Sequence, residues 1–401
     1  MNTRLETSKL RRLADLTTLI SSGSTPKGGS EVYLPQGPVM LIRSQNVRMN
    51  QLSLEEVAYI TDEIDSNMPR ARVQFGDVLL NITGASIGRV SSFELKHVRA
   101  NVNQHVCIIR SIPEVLYYKY LSHLIATSEF QTEIDRLQHG GTRQALTFSQ
   151  IADFKIPLPS ISEQRRIADV LDRAEALRAK RRAALAELDG LAQSIFIEMF
   201  GDPVTNPKQW PRVTLGDLIL QATDGPHVSP AYADHGIPFL SARHIRPGAI
   251  VWEDLKYITR EEAEAQWRKC KPQRGDILYT KGGTTGIAAS VQSNINFAIW
   301  VHIALLRPNG DKVESVWLET MLNSSYCYTQ SQRLTHGIAN RDLGLKRMIN
   351  IETYLPPLPL QREFVRRVAA VEKLKAVQRA SLAELDALFA SLQDRAFRGA
   401  L

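Results

Sequence analysis

The chain repeats itself, and the repeat limits what it can fold into. Leu185-Ala186-Glu187-Leu188-Asp189 returns unchanged as Leu382-Ala383-Glu384-Leu385-Asp386, 197 positions further on. Alternating steps of four and three through the first copy collect Ile167, Leu171, Ala174, Arg178, Arg181, Leu185, Leu188, Ala192, Ile195 and Met199. The same slide gives Phe364, Val368, Val371, Lys375, Gln378, Leu382, Leu385, Phe389, Leu392 and Ala396. Such spacing places each set on one stripe of a helix. Both stripes are apolar except at the same two central positions. A helix over either copy would be roughly 55 Å long, and one narrow apolar stripe buries it poorly alone. The economical partner is the other copy, running antiparallel. The expected seam is Ile167, Leu171, Leu185, Leu188, Ile195 and Met199 against Phe364, Val368, Leu382, Leu385, Phe389 and Leu392. At its polar break the long side chains are expected to turn outward. Two roles stand open for the break: fixing register, or docking an acidic partner surface.

The helix ends are written in the sequence. Ser160-Ile161-Ser162-Glu163 has the spacing of a capping box, and Gly201 and Pro203 stop the first helix. The second follows the proline-rich run Leu355-Pro356-Pro357-Leu358-Pro359. A chain of 401 residues exceeds one ordinary core, so several domains are expected. The boundaries read as globular unit 1–156, helix 157–200, globular unit 201–356 and helix 357–401. The expected fold class is α+β: two globular units of mixed strands and helices, separated by two long helices in an antiparallel coiled coil, with an internal pseudo-twofold repeat.

Composition narrows the partners. No apolar run reaches the ~18 residues of a membrane span, and Met1 to Arg12 is polar and basic, unlike a signal peptide. No membrane partner and a cytoplasmic location are expected. Cys107, Cys270 and Cys327 lie far apart, without paired metal spacing, which predicts buried free thiols and no metal site. The formal charge is +7. Residues 1–156 carry 17 basic and 15 acidic side chains, and 201–356 the same numbers, so a nucleic acid would be met by local patches.

The globular units echo each other weakly. Leu13-Ala14-Asp15-Leu16 matches Leu215-Gly216-Asp217-Leu218. Strand-like runs Gly37–Ile42 and Gly236–Leu240 lead into Arg43-Ser44-Gln45-Asn46 and Ser241-Ala242-Arg243-His244, whose side chains suit base edges or phosphates. Phe75-Gly76-Asp77-Val78-Leu79 parallels Arg274-Gly275-Asp276-Ile277-Leu278. The Gly-rich loops Thr83–Gly88 and Gly282–Gly286 lack the Gly-Lys-Ser/Thr ending of a nucleotide-binding loop and read as tight hairpins. His105 and His302 correspond and read as core histidines. Helical stretches near Val115–Arg136 and Val316–Arg333 end at His139–Gln144 and His336–Arg341. The Arg, Gln and Asn there can pair with guanine and adenine edges, and are also common in solvated loops. The candidate DNA contacts are Lys27, Arg43, Gln45, Asn46, Arg48, Thr83, Ser86, Arg143 and Gln144 in the first unit. In the second they are Arg243, His244, Arg246, Lys281, Thr284, Asn340 and Arg341.

These features together resemble the specificity subunits of type I restriction-modification systems. The likeness rests on Gly23-Ser24-Thr25-Pro26, Gly76-Asp77-Val78-Leu79, Ile87-Gly88, Asn103-Gln104 and Leu158-Pro159…Glu163-Gln164. The second half repeats the Gly-Asp turn and Leu355-Pro356…Gln361. It departs in placing Leu360 opposite Glu163 and in lacking the Gly-Ser/Thr-Pro opening. The resemblance implies two target-recognition domains that each read half of a bipartite, asymmetric site in double-stranded DNA. It also implies two methyltransferase subunits recruited by the helices, and two motor-nuclease subunits beyond them. S-adenosylmethionine, ATP and Mg²⁺ would be bound by those partners and no cofactor by this chain, which carries no catalytic motif. The recognition subunit of a methylation-only system and a non-specific coiled-coil scaffold are the alternatives.

Overall fold

The computed structural model describes residues 10–138, 145–337 and 341–401. It divides into two compact units: Met1–Arg182 with Ala380–Leu401, and Ala183–Arg379. Each contains parts of both long helices, which run over Ile161–Phe200 and Leu358–Phe397.

In the first unit, strands Thr17–Ser22, Val106–Ser111, Val78–Asn81 and Val90–Ser92 form an antiparallel sheet in that spatial order. A second sheet has the order Ala58–Ile60, Val39–Ile42, Ala100–Val102, Arg72–Val73, with its central pair parallel. An antiparallel ribbon of Leu10–Arg12 with Lys155–Pro157 ties the start of the unit to its end. Side-chain alternation explains why the first sheet's inner strands read as unbroken apolar runs. Val78, Leu80, Cys107 and Ile109 face a core completed by helices Tyr118–Ile125 and Ser128–Gln138 and by Ile167 and Leu171 of the first long helix. Leu79, Val106 and Ile108 point the other way, into the core shared with the second sheet.

The second unit, described by itself, repeats this plan. One sheet runs Ile219–Asp224, Ile303–Pro308, Ile277–Thr280, Ala288–Ser290, and the other Tyr232–Ala233, Lys256–Ile258, Ile237–Leu240, Ala298–Ile299. The ribbon is Arg212–Thr214 with Glu352–Tyr354. Ile277, Tyr279, Ala304 and Leu306 face the helical core, which includes Trp317, Phe196, Phe200 and Phe364. Leu278, Ile303 and Leu305 face the other sheet.

The frame is held by matching polar devices. Asp77, 1 % exposed, receives Nε and Nη2 of Arg110, both at 2.8 Å, and its carboxylate accepts the Gln74 N–H at 2.7 Å. Asp276 does the same with Arg307 at 2.9 Å and the Gln273 N–H at 2.9 Å. Gly76 and Gly275, at φ 87° and 92°, make the turn that presents these carboxylates. Gln164 is fully buried at the start of the first long helix. Its Oε1 accepts the Tyr117 N–H and its Nε2 donates to the carbonyls of Val115 and Pro159. Gln361 repeats this with the Glu314 N–H and the carbonyls of Lys312 and Pro356. The expected glycine opening also has a counterpart. A Cβ at Gly23 would lie 1.6 Å from the Val102 carbonyl oxygen, and one at Gly225 would lie 2.0 Å from that of Ile299.

Three local expectations need correction. The capping box is half made: the Glu163 N–H reaches Ser160 Oγ at 3.3 Å, but the Glu163 carboxylate is taken by Arg166 at 2.7 and 2.8 Å. Each helical stretch is two helices, because Thr127 and Ser324 start a new one by capping Phe130 and Cys327 with their hydroxyls. The polar break of the helices does not turn outward. In the first unit Arg178 pairs with Glu175 and, at 2.6 Å, with Asp386, while its guanidinium lies 4.3 Å over the Phe389 ring. In the second unit Lys375 pairs with Asp189 at 2.9 Å and Glu372 at 3.1 Å. The aspartates of the repeated Leu-Ala-Glu-Leu-Asp segment are therefore the partners of the central cations. Burial alone would lower the Lys375 pKa, and the hydrogen bonds its ammonium donates to Asp189 and Glu372 outweigh it and raise it. The remaining stripe residues are buried or half-buried throughout.

Among the described residues of the second unit, Glu319 is a buried carboxyl without a paired cation. Glu319 accepts from Ser290 N–H and Oγ–H, and burial raises its pKa against the pull of those bonds. A carboxyl raised on folding favours the fold at low pH, and that contribution is lost as pH rises through its folded pKa. The second unit should lose stability with rising pH above the ordinary glutamate range. Glu319→Gln should flatten that slope in urea titrations followed by tryptophan fluorescence; an unchanged slope would contradict the assignment.

Candidate nucleic-acid interface

The Gly-rich loop Thr83–Gly88, the Arg43 loop and the Asn103–His105 turn all lie at one end of the first unit's inner strands. Asn81, buried at the end of its strand, donates to the Ser44 carbonyl at 2.8 Å and so fixes the Arg43 loop against the sheet. Asn103 Oδ1 accepts the His105 N–H at 3.1 Å, holding the turn. Between these loops opens a cleft of about 440 Å³ lined by Ser44, Gln45, Thr83, Gly84, Ala85, Ser86, Arg89 and His105. His105 lies between Thr83 Oγ1, at its Nδ1, and the Gln104 amide, 2.9 Å from its Nε2. The cleft is hydroxyl- and amide-rich, carries one exposed guanidinium, and has no carboxylate in its lining. It can offer donors and acceptors to a base edge or a phosphate.

The expected contact residues fall into three groups. Gln45, Thr83 and Ser86 meet in the cleft, and Lys27 and Arg48 are exposed, Arg48 pairing with Glu55 at 3.3 Å. Arg43 is half-buried, with Nη2 on the Glu56 carbonyl at 2.7 Å and its guanidinium 5.6 Å over the Tyr33 ring. Asn46 is 1 % exposed. Its Oδ1 accepts the Arg43 N–H and its Nδ2 donates to the carbonyls of Ser53 and Glu55, so the side chain shapes the loop from within. Arg143, Gln144 and Asn340 lie outside the described residues.

In the second unit Arg243 and Arg246 are exposed, with Arg243 Nη2 on the Asp254 carbonyl at 2.6 Å. His244 stands where Asn46 stands and does the same work, its Nδ1 accepting the Ser241 N–H at 2.9 Å. Burial lowers its pKa, which favours the neutral ring whose Nδ1 can accept. Thr284 and Arg341 are exposed, and Arg341 Nη2 donates to Gln332 Oε1. Lys281 is 6 % exposed and engaged with Asp224 and Asp342. Asn46, His244 and Lys281 therefore spend their polar atoms inside their own unit, for one reason: each sits at the base of a loop rather than its tip.

Sequence reasoning missed Arg89 and misplaced the histidines. His105 lines the cleft and His302 is exposed, so neither is a core residue. Their place immediately before a buried strand, at the loop end of the sheet, was the available signal. Among the described residues no group of His, Cys, Asp and Glu could hold a metal ion, and no helix is long and apolar enough to cross a membrane. Cys107, Cys270 and Cys327 are buried free thiols, with burial pushing Cys107 and Cys327 up to about 12.

Each unit thus carries the same mixed α/β frame with polar loops at one end of its inner strands. Residues 6–187 match the model of the type I restriction modification DNA specificity domain. The chain is 25 % identical to the EcoBI specificity subunit of Escherichia coli, over 75 % of this chain and 69 % of that one. It is 20 % identical to the EcoKI specificity subunit of the K12 strain, over 97 % and 88 %. A solved S subunit from M. genitalium superposes with a TM-score of 0.61 at 14 % identity, over 99 % of this chain and 98 % of that one. Over residues 6–187 the chain thus matches the type I restriction-modification DNA specificity domain, and across most of its length it is similar to type I specificity subunits.

Proposed function

We propose that this chain is the non-catalytic DNA-reading component of a type I restriction-modification assembly, with each unit reading one half of a split duplex site. The observation that carries this is selective divergence. The framing residues recur in kind, as in Gln164 and Gln361, Asp77 and Asp276, or Arg110 and Arg307. The loop-edge residues do not, as in Gln45 against Arg243 or Thr83 against Gly282. A frame kept while its tips vary is the signature of two readers with different targets, so the two half-sites should differ. A scaffold would have no need for that difference.

In this reading 1–156 and 201–356 are the target-recognition domains, and 157–200 and 357–401 pair as an antiparallel coiled coil that sets the unread spacer. That pairing would relate the readers by an approximate twofold axis, as duplex DNA requires. The helices would recruit two methyltransferase subunits, and these two motor-nuclease subunits, with S-adenosylmethionine, ATP and Mg²⁺ bound by the partners in the cytoplasm. A methylation-only assembly would use the same chain without the nuclease.

Mapping N6-methyladenine in host DNA with this chain present and deleted tests the proposal. Loss of methylation at one split motif supports it, and an unchanged methylome counts against it. Among the described tips, Gln45→Ala and Arg89→Ala should each cost ~1–3 kcal/mol if they read a base edge, relaxing one position of the first half-site. If either is a phosphate contact, all sequences should weaken alike and the salt slope should fall, as competition binding would reveal.

A further inference from the structure

We infer that Lys281 is a positioning residue of the second reader: its buried ammonium pins the Gly-rich loop to the segment carrying Arg341 and does not touch DNA. The inference rests on the DNA-reading function proposed above.

Lys281 closes strand Ile277–Thr280, and its Nζ lies 3.4 Å from Asp224 Oδ2 and 3.2 Å from Asp342 Oδ1. Each acid is fixed in turn. Asp224 also receives Lys269 at 2.7 Å and faces His227 at 3.5 Å, and Asp342 Oδ2 receives Arg347 at 3.2 Å. The backbone follows the charges. The Leu343 N–H reaches the Lys281 carbonyl at 2.7 Å, the Gly283 N–H reaches the Arg341 carbonyl at 3.0 Å, and Asp342 exchanges both backbone bonds with His336. The exposed side chains of Thr284 and Arg341 stand directly on this base.

The first unit supplies the control. There the Leu146 N–H meets the Ile82 carbonyl at 2.9 Å and Thr83 bridges Ala145, the same backbone pairing in the same place. Ile82 occupies the position of Lys281, Ala145 that of Asp342 and Ser22 that of Asp224. The junction that the first unit closes with apolar packing, the second closes with a buried ion cluster. What the two share is the position of the two loops, so position is the property being maintained. A buried ion pair that loses one partner leaves an uncompensated charge, whereas whole replacement by apolar residues is often tolerated.

Competition binding on the full chain, with each half-site degenerated in turn and the salt concentration varied, tests this. Lys281→Met should lower discrimination at the second half-site about ten-fold, leave the first half-site untouched, and keep the salt slope of the wild type. The triple variant Lys281→Ile, Asp342→Ala, Asp224→Ser, which installs the first unit's junction, should restore discrimination. A Lys281→Met effect that weakens all sequences alike and lowers the salt slope by about one would make Lys281 a phosphate contact and overturn the inference. Unaltered discrimination would overturn it as well. Hydrogen exchange at the Leu343 and Gly283 amides separates the two claims, because it needs no DNA. Exchange should quicken in Lys281→Met and recover in the triple variant, and unchanged exchange would refute the pinning alone. A wild-type chain that shows no selective binding would refute the reading function alone.

Discussion

Asp276→Ala should lower the unfolding free energy of the second unit by about 3–5 kcal/mol, and Asp77→Ala should do the same to the first. The carboxylates are 2 % and 1 % exposed, and each holds a guanidinium through two hydrogen bonds as well as the N–H of its own turn. Alanine removes all of these and leaves Arg307 or Arg110 partly buried without a counter-charge. Replacing the arginine as well should recover part of the loss, because the penalty lies in the orphaned charge. All five tryptophans fall at positions 210–317, so fluorescence reports the second unit and amide exchange can follow the first. A loss below about 1 kcal/mol would show that the pair is worth no more than an exposed one.

The second large effect should come from Gln164→Leu, with Gln361→Leu as its replicate. Leucine roughly fills the volume but strands one backbone N–H and two carbonyls. Buried groups left unpaired cost about 1–3 kcal/mol each, so a total of about 3–5 kcal/mol is expected after partial relaxation. The damage should be local. Exchange protection should fall first at Val115–Tyr117 and at the opening turn of the long helix, and uniform loss across the unit would contradict a junction role.

Much of this frame was legible because it is written twice. The 3.6-residue period marked the long helices, and the glycine-aspartate turns and glutamines recur at matching places. What stayed hidden was pairing across the fold. Asp189 and Asp386 sit inside the repeated segment itself, yet nothing in a one-dimensional pattern says that they neutralise Lys375 and Arg178. The same limit governs the interface. Asn46, His244 and Lys281 are polar residues in polar loops, and only burial separates a loop's internal brace from its reading tip. Arg89 carried the opposite error, being left out although it stands exposed beside Ser86 in the cleft.

The central claim is that two unlike readers share one chain. Binding-site selection from a random duplex library, using the full chain with its methyltransferase subunit, tests it most directly. Enrichment of two different short motifs at one fixed spacing is expected, with Gln45→Ala relaxing only one of them. A single contiguous motif, two identical half-motifs, or no enrichment would contradict it.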